Sequence, residues 1–149
     1  MTGIYALISP GGELELREGV PERMLKDADP HTNTPSGFLV LRASWGAHGL
    51  HGHVGAVSVQ HNDAYPLNPV ARPLVDALGG PDQCYFGNLT ICGSLIAADS
   101  GESEMRGLVE AQQRLVCAVH AAVSHRNGAR WRRGALCQVG ARRSSGSMP

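Results

Sequence analysis

The sequence predicts an α+β fold with a single mixed or antiparallel sheet of about five strands, a long C-terminal helix packed on one face, and a short helix after Asn68. Three features predict it. Short segments with apolar residues at alternate positions are separated by turns rich in Gly and Pro, as in strands. One long segment near the C-terminus has helical periodicity instead. The 149 residues are the length of one ordinary domain with one core.

The N-terminal segments predict a hairpin followed by a short helix. "GIYALIS" (3–9) is largely apolar and ends at Pro10-Gly11-Gly12, a sequence typical of a turn between strands. In "ELELREG" (13–19), Leu14 and Leu16 alternate with charged residues, as in a half-exposed strand. Pro21 suits the first position of a helix, and Met24-Leu25 would supply its buried side.

The middle of the chain predicts two more strands. "FLVLRASW" (38–45) begins with consecutive apolar residues, so we expect a central strand that is covered on both faces. "GAHGLHGH" (46–53) is rich in glycine and predicts a turn that carries His48 and runs into a strand with His51 and His53. "VGAVSVQH" (54–61) alternates again and predicts the next strand.

The second half predicts a short helix, a strand and the long helix. Asn68 is a good N-cap and Pro69 suits the first helical position, but Pro73 favours a regular helix that begins only there. "QCYFGNLTICGSLIA" (83–97) has strand character, with Tyr85 and Phe86 in the core. Residues 103–126 carry apolar side chains at helical spacing, and we expect this amphipathic helix to lie across the sheet.

The composition is that of a globular protein outside the membrane. Hydrophobic residues make up 42% and charged residues 17% of the chain, and no apolar run approaches the ~18 residues of a membrane span. The N-terminus lacks the basic stretch and long apolar segment of a signal peptide. The four cysteines are scattered, with no C-x-x-C pair, so we expect reduced thiols. These features predict a cytoplasmic protein without membrane contact.

The formal net charge of zero hides two parts of opposite charge. Residues 126–149 hold six arginines and no acid, which leaves residues 1–125 with seven basic and thirteen acidic side chains, a net charge of −6. The sequence therefore predicts a single α+β domain over 1–126 and a basic, flexible C-terminal tail over 127–149. Within the tail, Trp131 stands among Arg130, Arg132 and Arg133, a combination that can stack on a base and contact phosphates. The alternative is a flexible solubilising extension, or one that docks on the acidic body.

Four histidines in "HGLHGHVGAVSVQH" raise the question of a metal site. His51 and His53 form an H-x-H pair, and His48 could join them as a third zinc ligand. His61 lies ten residues beyond His51, roughly 33 Å along a continuous strand, too far to share an ion. No Asp, Glu or Cys lies nearby to complete the set, so the alternative is a solvated turn with partly buried strand histidines. A general acid–base role for His61 and Asp63 lacks a nucleophile.

Several catalytic and nucleotide-binding motifs are absent from the sequence. It contains neither G-x-G-x-x-G after a strand nor G-x-x-x-x-G-K-[ST], which would indicate phosphate binding. It also lacks the G-x-S-x-G motif of a nucleophilic serine. The sequence therefore predicts no catalytic residue and no cofactor, with zinc as the one alternative.

The order of the predicted elements and six residues resemble a known family. Asn62 ends a strand, Asn68, Pro69 and Ala71 form an Asn-Pro-x-Ala helix start, and Gly87 and Gly93 lie in the strand that follows. Over about residues 4–97 the chain is similar to the small phage, plasmid and bacterial proteins called domain of unknown function 3846. Pro73 and the segment "WGAHGLHGHVGA" depart from the family pattern. The resemblance implies an accessory role in mobile elements or their bacterial relatives, and no catalytic residue.

These observations predict a non-enzymatic binding or regulatory accessory protein that acts through contact with another macromolecule. An unidentified protein is the expected partner, and self-association is a further option. The first alternative is a nucleic-acid-binding protein that uses the Arg and Trp side chains of the tail. The second is a metal-dependent enzyme built on the segment from His48 to His61.

Overall fold

The computed structural model describes residues 2–31, 37–45, 48–57, 64–96 and 103–126. These residues form one six-stranded antiparallel sheet and three helices. The strands are β1 (Gly3–Ile8), β2 (Leu14–Gly19), β3 (Gly37–Trp45), β4 (His48–Val57), β5 (Tyr85–Ile96) and β6 (Ser103–Arg106). The helices are α1 (Pro21–Ala28), α2 (Ala71–Ala77) and α3 (Glu110–Arg126). The predicted α+β architecture is confirmed, including the short helix after Asn68 and the long C-terminal helix.

β5 is the central strand of the sheet, whose order is β2-β1-β5-β4-β3. β4 pairs with one edge of β5, from His48 opposite Leu95 to Val57 opposite Tyr85. Two strands share the other edge, because β1 pairs with residues 89–91 and β6 with residues 93–96. β1 and β6 therefore lie end to end along β5.

The main core lies between the sheet and the helices α2 and α3, on what we call the inner face. Alternate residues of the strands point into it, and all are at most 1% exposed: Ile8, Leu50, Val54, Leu89 and Ile91. They pack in one cluster with Leu74 and Val75 of α2 and with Val116 and Val123 of α3. Burying one such side chain contributes ~1.5–3 kcal/mol, so this layer is the main source of hydrophobic stability.

α1 packs on the opposite face of the sheet, which we call the outer face. Pro21 is in its first turn, as predicted, and Met24 is buried against Tyr5 of β1 and Cys92 of β5. The helix packs mainly on β5, with smaller contacts to β1, β2 and β4. On the outer face of β3, Phe38 and Val40 stay exposed among the described residues.

Asn68 is completely buried and joins three parts of the chain. Its side-chain amide donates to the carbonyls of Ile8 (3.1 Å) and Gly87 (2.9 Å), and its Oδ1 accepts from the amide of Ala71 (3.2 Å). Asn68 thus caps α2 from three residues upstream. The expectation that the regular helix begins at Pro73 is wrong, because Pro73 lies in the first turn of α2, where a missing N–H forfeits no helix hydrogen bond.

The His- and Gly-rich stretch is a strand from His48 onward. The prediction that His48 lies on a turn is wrong, whereas His51 and His53 lie on a strand as predicted. Its glycines serve packing rather than a turn. A Cβ atom at Gly52 would lie 3.3 Å from Leu39 Cδ1 and 3.5 Å from Leu89 Cδ1, so the leucines of both neighbouring strands fill that space. Large side chains on β3 and β5 therefore explain the small residue between them.

β3 is an edge strand, not the central strand that its apolar sequence predicts. Its burial alternates: Leu39 and Leu41 are 3% exposed, whereas Phe38 is 57% and Val40 60% exposed. Periodicity could not reveal this, because β3 carries large apolar side chains on both faces while helices cover only one of them.

The segment predicted as a helix over 103–126 divides into two elements. Ser103–Arg106 is the strand β6, and α3 begins at Glu110. Met105 and Leu108 fit the helical pattern. However, β1 pairs only with residues 89–91 of β5, and residues 103–106 pair with the next part of that edge. This long-range pairing overrides local periodicity.

Two further findings concern the cysteines and the membrane. Cys84 is disulfide-bonded, which corrects the expectation of four reduced thiols, whereas Cys92 and Cys117 are free. Within the described residues, no helix has the length and apolar character needed to cross a membrane.

Candidate functional site

β4 presents His51 and His53 side by side on the outer face, because residues two apart on a strand point the same way. The register sets each histidine between a residue of β3 and a residue of β5. The two cross-strand rows are Val40–His51–Cys92 and Phe38–His53–Thr90. The predicted H-x-H pair is therefore brought together, in a setting of apolar and uncharged neighbours.

Phe38 covers this histidine pair from the edge of the sheet. Its ring centroid lies 5.0 Å from that of His51 in an edge-on arrangement and 5.2 Å from that of His53 at a tilted angle. Edge-on and tilted geometries are those that aromatic rings prefer. Phe38 and Val40, which we call the β3 stripe, are the most exposed large apolar side chains of the described residues.

The Nδ1 atom of His53 is buried and has no hydrogen-bond partner among the described residues. His53 is only 9% exposed, and burial lowers the pKa of its ring from 6.5 to about 4, with a smaller contribution from the nearby His51. Burial also lowers the pKa of His51. Both rings are consequently neutral near pH 7 and act as flat, weakly polar surfaces rather than as cations.

Thr90, the cross-strand neighbour of His53, has an unsatisfied hydroxyl. Its Oγ1 is buried and has no hydrogen-bond partner in the described part of the chain, so two orphan polar atoms lie in one row of the sheet. Each unsatisfied buried group destabilises the fold by about 1–3 kcal/mol. This row is consequently a locally weak part of an otherwise well-packed sheet.

Cys92 is unsuited to nucleophilic chemistry. It is 1% exposed, and burial raises the pKa of its thiol to about 12. The thiolate is the reactive and metal-binding form. Cys92 is therefore a neutral packing residue between Tyr5 and Met24.

The structure describes the side chains of two of the three predicted metal ligands, His51 and His53. Within the described part of the chain, no group of three or more His, Cys, Asp and Glu side chains could hold a metal ion. The side chain of His48 lies outside the described residues, although its backbone begins β4. A zinc site at His48, His51 and His53 stays a prediction.

Two carboxylates that sequence reasoning missed fix the outer face. Asp27 accepts a hydrogen bond from the Tyr5 hydroxyl and forms an ion pair with Arg17 (3.1 Å), while both carboxylate oxygens of Asp29 lie 2.9 Å from the Tyr65 hydroxyl. Burial and these carboxylates raise the pKa of both tyrosines. The contacts hold α1 and the chain after it on the sheet, which is a structural role. No sequence spacing indicates them, because each joins residues from different elements.

A His–Ser pair lies at the other end of the sheet, beside the β1–β2 turn. Ser124 Oγ is 3.4 Å from His120 Nε2, and the same nitrogen is 2.7 Å from the carbonyl oxygen of Gly12. A nitrogen that donates to this carbonyl carries a proton, so it cannot serve as the base for Ser124. The pair lines an open cavity of about 830 Å³, but its geometry is that of a tie between α3 and the turn.

The remaining predicted sites fall outside the described residues. They are the candidate tail contacts Arg130, Trp131, Arg132 and Arg133 and the candidate acid–base pair His61 and Asp63. The proposed division into a domain over 1–126 and a tail over 127–149 likewise stays a prediction.

In a comparison with known proteins, no family model, no curated protein and no solved structure matches this chain. The resemblance over residues 4–97 stays a prediction.

Proposed function

We propose that the protein is a non-enzymatic binding or regulatory accessory protein that acts through contact with another protein, and that the outer face of β3 and β4 forms the contact. The β3 stripe carries this proposal. Phe38 and Val40 are 57% and 60% exposed, and Phe38 is continuous with the rings of His51 and His53. Exposed apolar side chains that adjoin one another are typical of protein–protein contacts.

The chemistry of this face supports binding rather than catalysis. General acid–base catalysis needs a group whose pKa lies near the working pH and a reacting group within hydrogen-bond distance. His53 has a pKa of about 4, the Cys92 thiol has a pKa of about 12, and the orphan atoms of His53 and Thr90 have no partner. A flat surface of neutral rings and aliphatic groups is suited to recognising another apolar surface.

The proposal includes the accessory role in phages, plasmids or bacterial genomes that the resemblance implies. Asn68 supports it as the residue that fixes the start of α2 between two strands, which is where the family has its Asn-Pro-x-Ala motif. Physical constraints alone could also favour an asparagine there, so this part of the proposal depends on the position of the motif.

Affinity capture from an extract of the source organism tests the proposal. The immobilised full chain should retain a stoichiometric partner, and the double variant Phe38→Ser/Val40→Thr should lose most of it, because both changes remove exposed apolar area without altering the inner core. Leu16→Ser is the matched control, since Leu16 is an exposed apolar residue (40%) on the opposite edge strand, β2. Partner retention that is equal for the double variant and the control would refute the assignment of the surface.

An activity screen tests the non-enzymatic part. Measurable turnover of a substrate by the full chain, abolished by substitution of His51 or His53, would replace the proposal with an enzymatic function. We expect no such turnover, because neither ring has a reacting group beside it in the described structure.

A further inference from the structure

We propose that the free edge of β3 binds an extended peptide segment as an additional β-strand, and that a carboxylate of this segment pairs with Arg42. The inference depends on the proposed function and adds the chemical class of the partner: an extended segment with two apolar side chains and one acidic side chain at alternate positions. Three features of β3 carry it, namely its unpaired backbone edge, the pattern of its outward side chains, and the cavity at its end.

The backbone edge of β3 is available for pairing. Within the described residues β3 pairs with β4 alone and is the last strand of the sheet. Every second residue of an edge strand directs its N–H and C=O groups away from the sheet, and such a row of unpaired groups is a template for another strand. Strand addition of this kind takes its affinity from main-chain hydrogen bonds and its specificity from alternate side chains.

The outward side chains of β3 specify what the added strand should carry. Phe38, Val40 and Arg42 occupy every second position and are all exposed. Phe38 and Val40 lie on the outer face, and Arg42 follows Leu41, where the register with β4 shifts. The side chain of Arg42 forms no hydrogen bond or ion pair with the other described residues. A strand laid beside β3 places its own side chains next to Phe38 and Val40, and its end next to Arg42. Apolar residues beside Phe38 and Val40 and a carboxylate beside Arg42 are the complementary set.

The turn after α2 marks where the open edge ends. A Cβ atom at Gly79 would lie 2.8 Å from Arg42 Cβ and 3.1 Å from the Arg42 amide nitrogen, so this turn runs directly against β3 at Arg42. Gly79 also has a φ of +87°, which favours glycine. The edge that can accept a strand is therefore confined to residues 37–41, and Arg42 stands at its end.

A cavity lies at this end of the edge. It has a volume of about 680 Å³ and is lined by Val40, Arg42, Asp76, Gly79, Gly80 and Pro81. Asp76 lines it from α2, but no ion pair joins Asp76 to Arg42 among the described residues. Arg42 is therefore available to a carboxylate from outside, and the cavity has room for the acidic end of an added segment.

The charge of Arg42 favours a foreign segment over a second copy of this chain. β3 contains no Asp or Glu (37–45). If two copies paired through β3, neither strand would supply a carboxylate for the Arg42 of the other. A partner segment that carries an acid satisfies this cation, whereas self-pairing does not.

Selection from a random short-peptide display library tests the recognition. The immobilised full chain should enrich peptides with two apolar residues at alternate positions and an Asp or Glu at the next alternate position, read in either direction. Arg42→Glu should abolish the acidic preference and replace it with Lys or Arg. Arg114→Glu, an equal charge change at an exposed residue of α3, should leave the preference as it is. No enrichment, or an acidic preference that survives Arg42→Glu, would overturn the inference.

Amide exchange by NMR tests the strand pairing itself with an enriched peptide. Binding should slow exchange at alternate amides within 37–41 of the full chain and leave the others nearly unchanged. Unchanged exchange at these amides would mean contact through side chains alone, which overturns this inference while partner capture through Phe38 and Val40 still supports the proposed function. Sedimentation of the full chain as a dimer that Val40→Lys dissociates would assign the edge to a second copy and would also overturn the inference.

Discussion

At the scale of single residues, His53 couples folding to pH. Its pKa is lowered from 6.5 to about 4 because its ring is buried. Between these two pH values the unfolded chain binds a proton that the folded chain does not bind. The contribution of His53 to the free energy of unfolding is therefore complete above pH 6.5 and decreases as the pH falls toward 4. A shift of this size corresponds to about 3 kcal/mol. His51, whose pKa is also lowered, adds a contribution of the same sign.

The variant His53→Leu tests this coupling. We expect it to reduce the loss of stability on acidification and to remove the orphan Nδ1 atom, because leucine neither titrates nor needs a hydrogen bond there. Urea unfolding at a series of pH values between 4 and 7 measures the slope. Thr90→Val is the matched control: it should stabilise the fold by about 1 kcal/mol at every pH and keep the slope. An unchanged slope in His53→Leu would show that another group causes it.

Asn68 gives a second prediction at this scale. Asn68→Ala removes three hydrogen bonds and leaves the carbonyls of Ile8 and Gly87 without their side-chain donor. We expect a loss of about 2–4 kcal/mol in the free energy of unfolding. Asn88→Ala, which removes one half-buried hydrogen bond to the carbonyl of Asp27, should lose about 1 kcal/mol. An equal loss in both variants would contradict the role of Asn68 as a junction.

At the scale of elements, the junction of β1 and β6 depends on two facing glycines. A Cβ atom at Gly107 would lie 2.7 Å from both the Gly3 Cα and the Ile4 amide nitrogen, which are backbone atoms that cannot move aside. We expect Gly107→Ala to lower the free energy of unfolding by about 1–3 kcal/mol. Gly11→Ala is the control, because the nearest atom to its Cβ would be 3.7 Å away. Thermal unfolding compares them, and similar melting temperatures would disprove this close approach.

The local sequence predicts where the strands and helices of this protein lie better than it predicts which elements lie beside one another. The hairpin, α1 with Pro21 in its first turn, and the buried Tyr85 and Phe86 follow from turn chemistry and alternation. The edge position of β3 does not follow from the local sequence. Phe38 and Val40 are apolar, as buried residues would be, and only the strand order shows that they lie at an edge. β6 does not follow from the local sequence either, since its pairing with β5 depends on where β1 stops.

The candidate site was accessible to sequence reasoning only in part. The H-x-H pattern correctly places His51 and His53 on one side of a strand. Their burial and neutrality depend on the flanking strands, which bring Phe38, Thr90 and Cys92 beside them. The sequence contains no indication of a role for Arg42. Its proposed role depends on its position at the end of the open edge of β3, which is known only from the tertiary structure.

At the scale of the whole molecule, the contact surface and the basic tail make separable predictions. If contact occurs through the β3 stripe, the triple variant Arg130→Ser/Arg132→Ser/Arg133→Ser should capture the partner as well as the original chain does. A nucleic-acid function of the tail predicts the reverse: affinity for DNA or RNA that falls steeply between about 50 and 200 mM salt and is lost in the triple variant. Filter binding over this salt range, run beside the capture assay, distinguishes the two.

The end-to-end arrangement of β1 and β6 on β5 also affects how the chain is made. Ala6 of β1 pairs with Ile91 of β5. At a translation rate of ~5–20 residues per second, Ile91 is synthesised about 4–17 s after Ala6. During that interval β1 has one bare edge, and a nascent chain stalled before β5 would present it to other nascent chains. Chaperone binding to the nascent chain should therefore be greatest while the residues between β2 and β5 are being translated, and should decrease once β5 has left the ribosome.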